Sequence, residues 1–353
     1  MQVIKTIQEI ASHIQINYSD LSGSHIHYQR QKQSADIVAM LKKMPEKIQY
    51  DYLGILVRNL IFDVYFSGEI ALEKRNTSRE NRANADSEIE ENTAAEVDWE
   101  FCEQLHQNNQ SRGWWNPGFL ILRQEADGSL AVEKKGVTTY IQRDKYLCLE
   151  EQSAAVGDFV SVYTPPDRVL YKFLMAFGNL ASFYENSPAF IYFNFSSQTA
   201  VVVMRFLTKR LNEIQVPFCF NVLHNPYNYG RYDSGCLRID QDSYAVVRPV
   251  LQTVYAENAL HFQTQVPIFT KMLAPGLALA ENPEPEYEFY FREEFGMNRC
   301  QIVANALIEA HKNNDESSEA RIKYILQHFD RFGIDLERPY LNPNSEDIYT
   351  PLV

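Results

Sequence analysis

Ala189-Phe190-Ile191-Tyr192-Phe193-Asn194-Phe195 and Pro217-Phe218-Cys219-Phe220-Asn221-Val222 are two extended runs separated by a helical one, and their relation decides the fold. Alternation in the first puts Phe190, Tyr192 and Asn194 on one face and Ile191, Phe193 and Phe195 on the other. The second puts Phe218, Phe220 and Val222 on one face and Cys219, Asn221 and Leu223 on the other. Between them Val203, Phe206, Leu207, Leu211 and Ile214 recur at helical spacing from about Gln198, and Pro217 ends the connection. A strand–helix–strand crossover predicts that the two strands are parallel and near neighbours. Tyr192 or Asn194 then lies at the same depth as Asn221, so one sheet face reads as core and the other as a site. After a turn-rich stretch, His224 to Gly230, a third strand carries Leu237 and Ile239. Any chemistry is expected between Ala189 and Asp240.

Working outward, the texture on the N-terminal side is β from Arg112. Phe119 to Arg123, Leu130 to Glu133 and Thr138 to Gln142 read as short strands, with Asp127-Gly128 as a hairpin turn between the first two. Phe159 to Tyr163 is a further strand, closed by Pro165-Pro166. On the C-terminal side, Ile302, Val303, Ala306 and Leu307, then Ile322, Ile325, Leu326 and Phe329, return the chain to helix. The first hundred residues are also helical, through Val3, Ile7, Ile10 and Ile14, then Ile37, Met40 and Leu41, then Leu53, Leu56, Val57, Leu60 and Val64. Ser67-Gly68 stops the last of these, and a short helix is expected from Trp99 to His106. Residues 73 to 97 lose their aromatics and read as a solvated linker or mobile loop. The expected class is α+β. A helical region, 1–111, precedes a mixed β-sheet domain with packed helices, 112–353.

Composition limits the functions open to this chain. Of 353 residues, 45% are hydrophobic and 13% aromatic, which suits a packed core. The formal net charge of −13 argues against non-specific binding to nucleic acid or to an anionic membrane, and permits a basic partner. The acidic stretch Glu281 to Glu288 fits a basic peptide or is a solvated face. Five scattered cysteines without C-x-x-C spacing read as reduced thiols, which with the lack of a signal-like start or an 18-residue apolar run leads to a cytoplasmic expectation. Phosphate-loop, dinucleotide-binding, serine-hydrolase and H-E-x-x-H patterns are absent. His25-x-His27 has the spacing of a metal pair on a strand but no third ligand nearby in sequence, and reads as a surface pair. Cys219 reads either as a small buried hydrophobe or as a nucleophile. His224, the central histidine, reads as a solvated loop residue or a general acid–base group.

Several segments, in order along the chain, carry a family resemblance. They are Gly113 to Phe119 (GWWNPGF), Gly157 to Val162 (GDFVSV), Ile191 to Phe195 (IYFNF) and Pro217 to Val222 (PFCFNV). Arg231 to Ser234 (RYDS), Ala274 to Glu281 (APGLALAE) and Phe295 to Cys300 (FGMNRC) follow. From Arg112 onward the chain resembles the HopA type III effector family, including relatives in peptide-modifying gene clusters.

That resemblance implies a fold similar to phosphothreonine lyase effectors. It also implies a chemistry: β-elimination of phosphate from phospho-Ser or phospho-Thr in a peptide or protein, as in lanthipeptide and thioamitide maturation. The reaction needs a base for the Cα proton, an acid for the leaving oxygen and cations for the phosphate, with no cofactor or metal. The implied phosphate holders are Arg231, Arg299 at a helix start, Lys271 and Lys172, with Asn194 as a further substrate contact. The plain alternatives are an Arg231–Asp233 salt bridge, a solvated helix start for Arg299, and solvated lysines. The implied catalytic positions fall on Tyr192, Asn221, Cys219 and His224. The strand expected to carry a lysine carries Cys219 and Asn221 instead, and Phe190 stands where a basic residue is expected. Two functions follow: a lyase with a substituted base, possibly served by a partner kinase, or a catalytically silent relative that binds a peptide or protein partner. A third, weaker reading is an effector that binds a host protein.

Overall fold

The computed structural model describes residues 2–28, 34–69, 97–180, 187–283 and 295–352. The stretch read as a linker, apart from Val97, and most of Glu281 to Glu288 lie outside these residues. The N-terminal elements are α1 (Gln2–His13), the hairpin β1 (Ile14–Asn17) and β2 (Ser22–His25), α2 (Ala35–Leu41), α3 (Glu46–Ile61) and α4 (Trp99–Asn108). A π-helical turn, Phe62–Phe66, extends α3. Ser34 and Asp98 accept the Ile37 and Phe101 backbone N–H groups and so cap α2 and α4.

A four-stranded sheet follows, in the order β5–β4–β3–β6. Its strands are β3 (Trp114–Gln124), β4 (Leu130–Lys134), β5 (Val137–Ile141) and, after the single turn α5 (Arg143–Tyr146), β6 (Phe159–Thr164). The β3–β4 turn falls at Asp127-Gly128, where Gly128 adopts a φ of +87°. One face of this sheet buries Ile121, Leu130, Val132, Ile141, Val160 and Val162 as a small separate core.

The main sheet has seven strands. They are β7 (Asp167–Leu170), β8 (Phe173–Phe177), β9 (Pro188–Phe193), β10 (Cys219–Leu223), β11 (Gly235–Asp240), β12 (Lys271–Ala274) and β13 (Leu277–Glu281). The spatial order is β12–β13–β9–β11–β10–β8–β7, and every pairing recorded is antiparallel. The helix between β9 and β10 is α6 (Ser197–Glu213), capped by Ser196, and α7 (Tyr244–Asn258) packs beside it. The chain ends with the hairpin of α8 (Phe295–Lys312) and α9 (Ser318–Arg331) and an extended tail.

The α+β class is as expected, but the central crossover is corrected in one respect. β9 and β10 do run parallel, yet they are not neighbours. β11 lies between them, antiparallel to both. The crossover rule fixes the direction of the second strand and leaves room for a later strand to enter the gap. β7, β8, α7 and the β12–β13 hairpin carry no clear alternation or helical stripe in the sequence, and supply about half of this layer.

One core cluster joins the N-terminal helices to the main sheet. Ile7, Ile10, Leu53, Val57 and Leu60 belong to the same buried set as Ile191, Phe193, Leu237 and Leu307. The main sheet buries its Ile191, Phe193, Phe220, Val222, Leu237 and Ile239 face completely or nearly so. The opposite face carries Phe190, Tyr192, Cys236, Arg238, Cys219, Asn221 and Met175, with several of these only half-buried.

Candidate functional site

Register places the implied catalytic side chains. Tyr192 lies opposite Cys236, and Cys236 opposite Asn221, so Tyr192 and Asn221 share a face but stand two strand spacings, roughly 10 Å, apart at the backbone. In the same way Phe190, Arg238, Cys219 and Phe177 form the next row. Tyr192 is 5% exposed and meets the Phe66 ring edge-on at 5.4 Å. Cys219 is buried and its Sγ donates to Asn221 Oδ1 at 3.2 Å. Burial pushes the Cys219 thiol up to about 12, with Arg238 and Arg168 opposing the shift. At neutral pH it is a thiol, and a thiol is a poor nucleophile and a poor base.

Three of the implied residues do meet, and they meet at the rim of the sheet rather than on its face. The rim is where β9 and β10 end, where the β7–β8 hairpin turns at Tyr171 and Lys172, and where the chain crosses from His224 to Ser234 into β11. His224 is 2% exposed. Its backbone N–H donates to the Lys172 carbonyl, and its Nε2 is 2.7 Å from the Tyr171 carbonyl oxygen. A carbonyl only accepts, so Nε2 carries the proton and donates. Nδ1 is buried and has no hydrogen-bond partner among the described residues.

Arg231 is the centre of this rim. Its Nε and Nη2 donate to the two carboxylate oxygens of Asp233 at 2.8 and 3.0 Å, and its Nη1 donates to Glu69 Oε2 at 2.6 Å. The other Glu69 oxygen, Oε1, accepts from Lys172 Nζ at 3.0 Å. One carboxylate is therefore held by two cations, one oxygen to each. Burial works against the charge on Arg231, but Asp233, Glu69 and the nearby Asp63 outweigh it and push its pKa up. Burial also raises Glu69, and Arg231 with Lys172 outweighs that and lowers it. Glu69 reaches the rim through a built turn. Tyr232 donates its N–H to the Ser67 carbonyl, and Ser67 Oγ accepts from the Glu69 N–H. Gly68 has a φ of +71°, and a Cβ there would lie 2.7 Å from the Tyr232 ring, so both backbone and space require glycine.

The remaining implied residues lie elsewhere. Asn194 is wholly buried near the same rim. Its Nδ2 donates to the Gln265 carbonyl, and its own N–H and C=O bond Gly276 and Gln263, so it ties down the 263–276 connection. Arg299 lies within α8 and is 2% exposed. It donates to the Pro339 and Leu341 carbonyls, both at 3.0 Å, and to Asn298 Oδ1 at 2.7 Å. Burial lowers it to about 10, with Glu281 and Tyr192 opposing. Lys271 stands in register with Leu279 and Ile191, on the face opposite Tyr192 and Asn221, and is paired to Asp347 at 2.6 Å.

Two groups were missed in the sequence. Glu69 lies 103 residues before Lys172 and 162 before Arg231, and no spacing rule connects them. His13, at the end of α1, joins His25 and His27, with ring centroids 5.1–5.7 Å apart in the three pairs. His25 is not a surface residue but 5% exposed, with Nε2 on Tyr65 Oη and Nδ1 accepting from the His27 N–H. Both of its nitrogens are thus engaged, and no group of three metal-ligating side chains occurs among the described residues.

An antiparallel sheet with a packed helical hairpin and a cationic rim is the architecture in hand, and the family comparison agrees with the segments that led to it. The sequence model of the HopA1 effector protein family matches residues 164–341, half of the chain and all of the main sheet. The chain belongs to the HopA1 effector protein family. Two solved effector proteins from Pseudomonas syringae are similar in structure. The one from pv. tomato strain DC3000 has a TM-score of 0.41 and 15% identity, covering 79% of this chain and 98% of that one. The one from pv. syringae strain 61 has a TM-score of 0.39 and 16% identity, covering 77% and 94%. Comparison with the curated proteins returns no match.

Proposed function

We propose that this HopA1-family protein binds a peptide or protein partner through the Arg231 rim and does not eliminate phosphate from it. The observation that carries this reading is the state of Arg231. Its three donor groups are all engaged, two on Asp233 and one on Glu69, in a buried network that is complete without a substrate. The proposed base positions support the same reading. Cys219 is protonated at neutral pH, and an amide such as Asn221 has no lone pair basic enough to take a Cα proton. Arg299 and Lys271 are engaged away from the rim, so they do not add to an anion pocket there.

Elimination of phosphate from phospho-Ser or phospho-Thr is the second reading. It is favoured by the meeting of Lys172, His224 and Arg231 at one rim, which assembles an amine, an imidazole and a guanidinium. The test is incubation with a phosphothreonine peptide, followed by mass spectrometry and a binding titration. Binding with the phosphate retained supports the first reading; loss of phosphoric acid replaces it with the second.

A further inference from the structure

We propose that Glu69 is a built-in occupant of an oxyanion site, and that a phosphate ester on a bound peptide displaces its side chain from between Arg231 and Lys172. This inference rests on the binding function proposed above and names the group that is recognised.

The geometry is that of a bound ligand. A single carboxylate bridges a guanidinium at 2.6 Å and an ammonium at 3.0 Å, using one oxygen for each. Arg231 is pre-set for this task. Asp233 holds it in a two-point clamp, which fixes the plane of the guanidinium and leaves Nη1 directed away from the clamp at Glu69. An arginine whose sole role was to neutralise Asp233 would need no third contact.

The parts differ in mobility in the way a displaceable occupant requires. The Arg231 side chain is 6% exposed and Asp233 10%, whereas Glu69 is 28% and Lys172 51% exposed. The cradle is rigid at its base and open at its lip, and Glu69 enters from the open side. A phosphate monoester offers three oxygens where Glu69 offers two. It can therefore satisfy Arg231 Nη1 and Lys172 Nζ together and keep one oxygen in water. Asp233 and Asp63 are the opposing negative charges at this end of the sheet, and they hold the affinity for free phosphate low. A peptide adds contacts that inorganic phosphate lacks.

The consequence is measurable as competition. If Glu69 fills the site about nine-tenths of the time, removing its charge tightens an external oxyanion about tenfold, because the apparent dissociation constant scales inversely with the vacant fraction. The experiment titrates the full chain and its Glu69→Gln variant with a phosphothreonine peptide, the unphosphorylated twin and inorganic phosphate. Lys172→Gln is added alone and on the Glu69→Gln background, since that lysine is half exposed and its loss leaves the fold intact. The expected result is about tenfold tighter binding of the phosphopeptide to Glu69→Gln, no gain for the unphosphorylated twin, and severalfold weaker binding in both Lys172→Gln chains. Phosphopeptide affinity unchanged by Glu69→Gln and by Lys172→Gln overturns the inference; so does an equal gain for the twin. Mass spectrometry on the same samples separates the two proposals. Intact phosphopeptide bound without regard to Glu69 or Lys172 refutes the occupant and leaves the binding function standing. Released phosphate refutes non-catalytic binding, and the Glu69→Gln affinity still judges the occupant.

Discussion

Replacing Arg299 with Met is expected to loosen the C-terminal clasp and cost about 4 kcal/mol of stability. The guanidinium donates one bond to the Pro339 carbonyl and one to the Leu341 carbonyl, each at 3.0 Å, and stacks over the Phe295 ring at 4.9 Å. Hydrogen bonds from a charged donor contribute about 1.5–3 kcal/mol each, so the pair accounts for about 3–6 kcal/mol. The guanidinium is itself costly to bury, as its lowering to about 10 shows, and Met recovers part of that cost along with the stem packing. Glu281, 1% exposed, would lose its favourable cation but keep hydrogen bonds from Asn342 N–H and Tyr349 Oη. The balance is about 3–5 kcal/mol. In a chain of this length each kcal/mol moves Tm by about 2 °C or slightly more, so a fall of about 8–12 °C is expected in thermal unfolding. Arg299→Lys is expected to lose most of the same amount, because an ammonium cannot span two carbonyls as a planar fork does. A Tm drop under about 2 °C for Arg299→Met would refute the clasp. Phosphopeptide binding measured well below Tm should not change; a selective loss of binding with stability kept would return Arg299 to the ligand site.

Other expectations follow from the same geometry. Arg231→Ala should cost about 3–5 kcal/mol in chemical unfolding, since it strands the buried Asp233 carboxylate, whereas Lys172→Gln should change stability by less than about 1 kcal/mol. Cys219 should resist iodoacetamide in the native protein at pH 7.5, and the half-buried Cys148 should be labelled before it, as peptide mapping would reveal; rapid labelling of Cys219 would contradict its burial. Glu69 and Asp347 are both lowered below the ordinary carboxylate values of 4.5 and 3.8. A lowered folded-state pKa stabilises above the unfolded value and is lost as pH falls through the folded value. Stability should therefore fall on acidification below about pH 4.5, and Glu69→Gln should flatten part of that slope; an identical slope in the variant would contradict the ion pair.

The sequence carries the local order of this fold well and its long-range order poorly. Alternation in Phe190 to Phe193 and the stripe through Val203, Leu207 and Leu211 locate β9 and α6 because each is a one-sided surface with a strict period. The insertion of β11 between β9 and β10 is not local. It is set by which edges are free when the chain returns through Gly235 to Asp240, and Leu237 and Ile239 would suit any central position. The same limit governs the site. Arg231 and Asp233 are two residues apart, so their pairing was one of two readings in the sequence. Glu69 and Lys172 join them only after the π-helical turn at Phe62 to Phe66 and the β7–β8 hairpin are in place. Arg299 looked like an anion holder because it stands near a helix start; the tail at Pro339 to Leu341 that takes its donors is 40 residues away.

The most direct test of the account is the fate of a phosphothreonine peptide on the wild-type chain. The account predicts saturable binding, weakened by Lys172→Gln, with the peptide mass unchanged after prolonged incubation. A product lighter by the mass of phosphoric acid, formed in proportion to enzyme and abolished in Lys172→Gln, would contradict it and establish the rim as a lyase site.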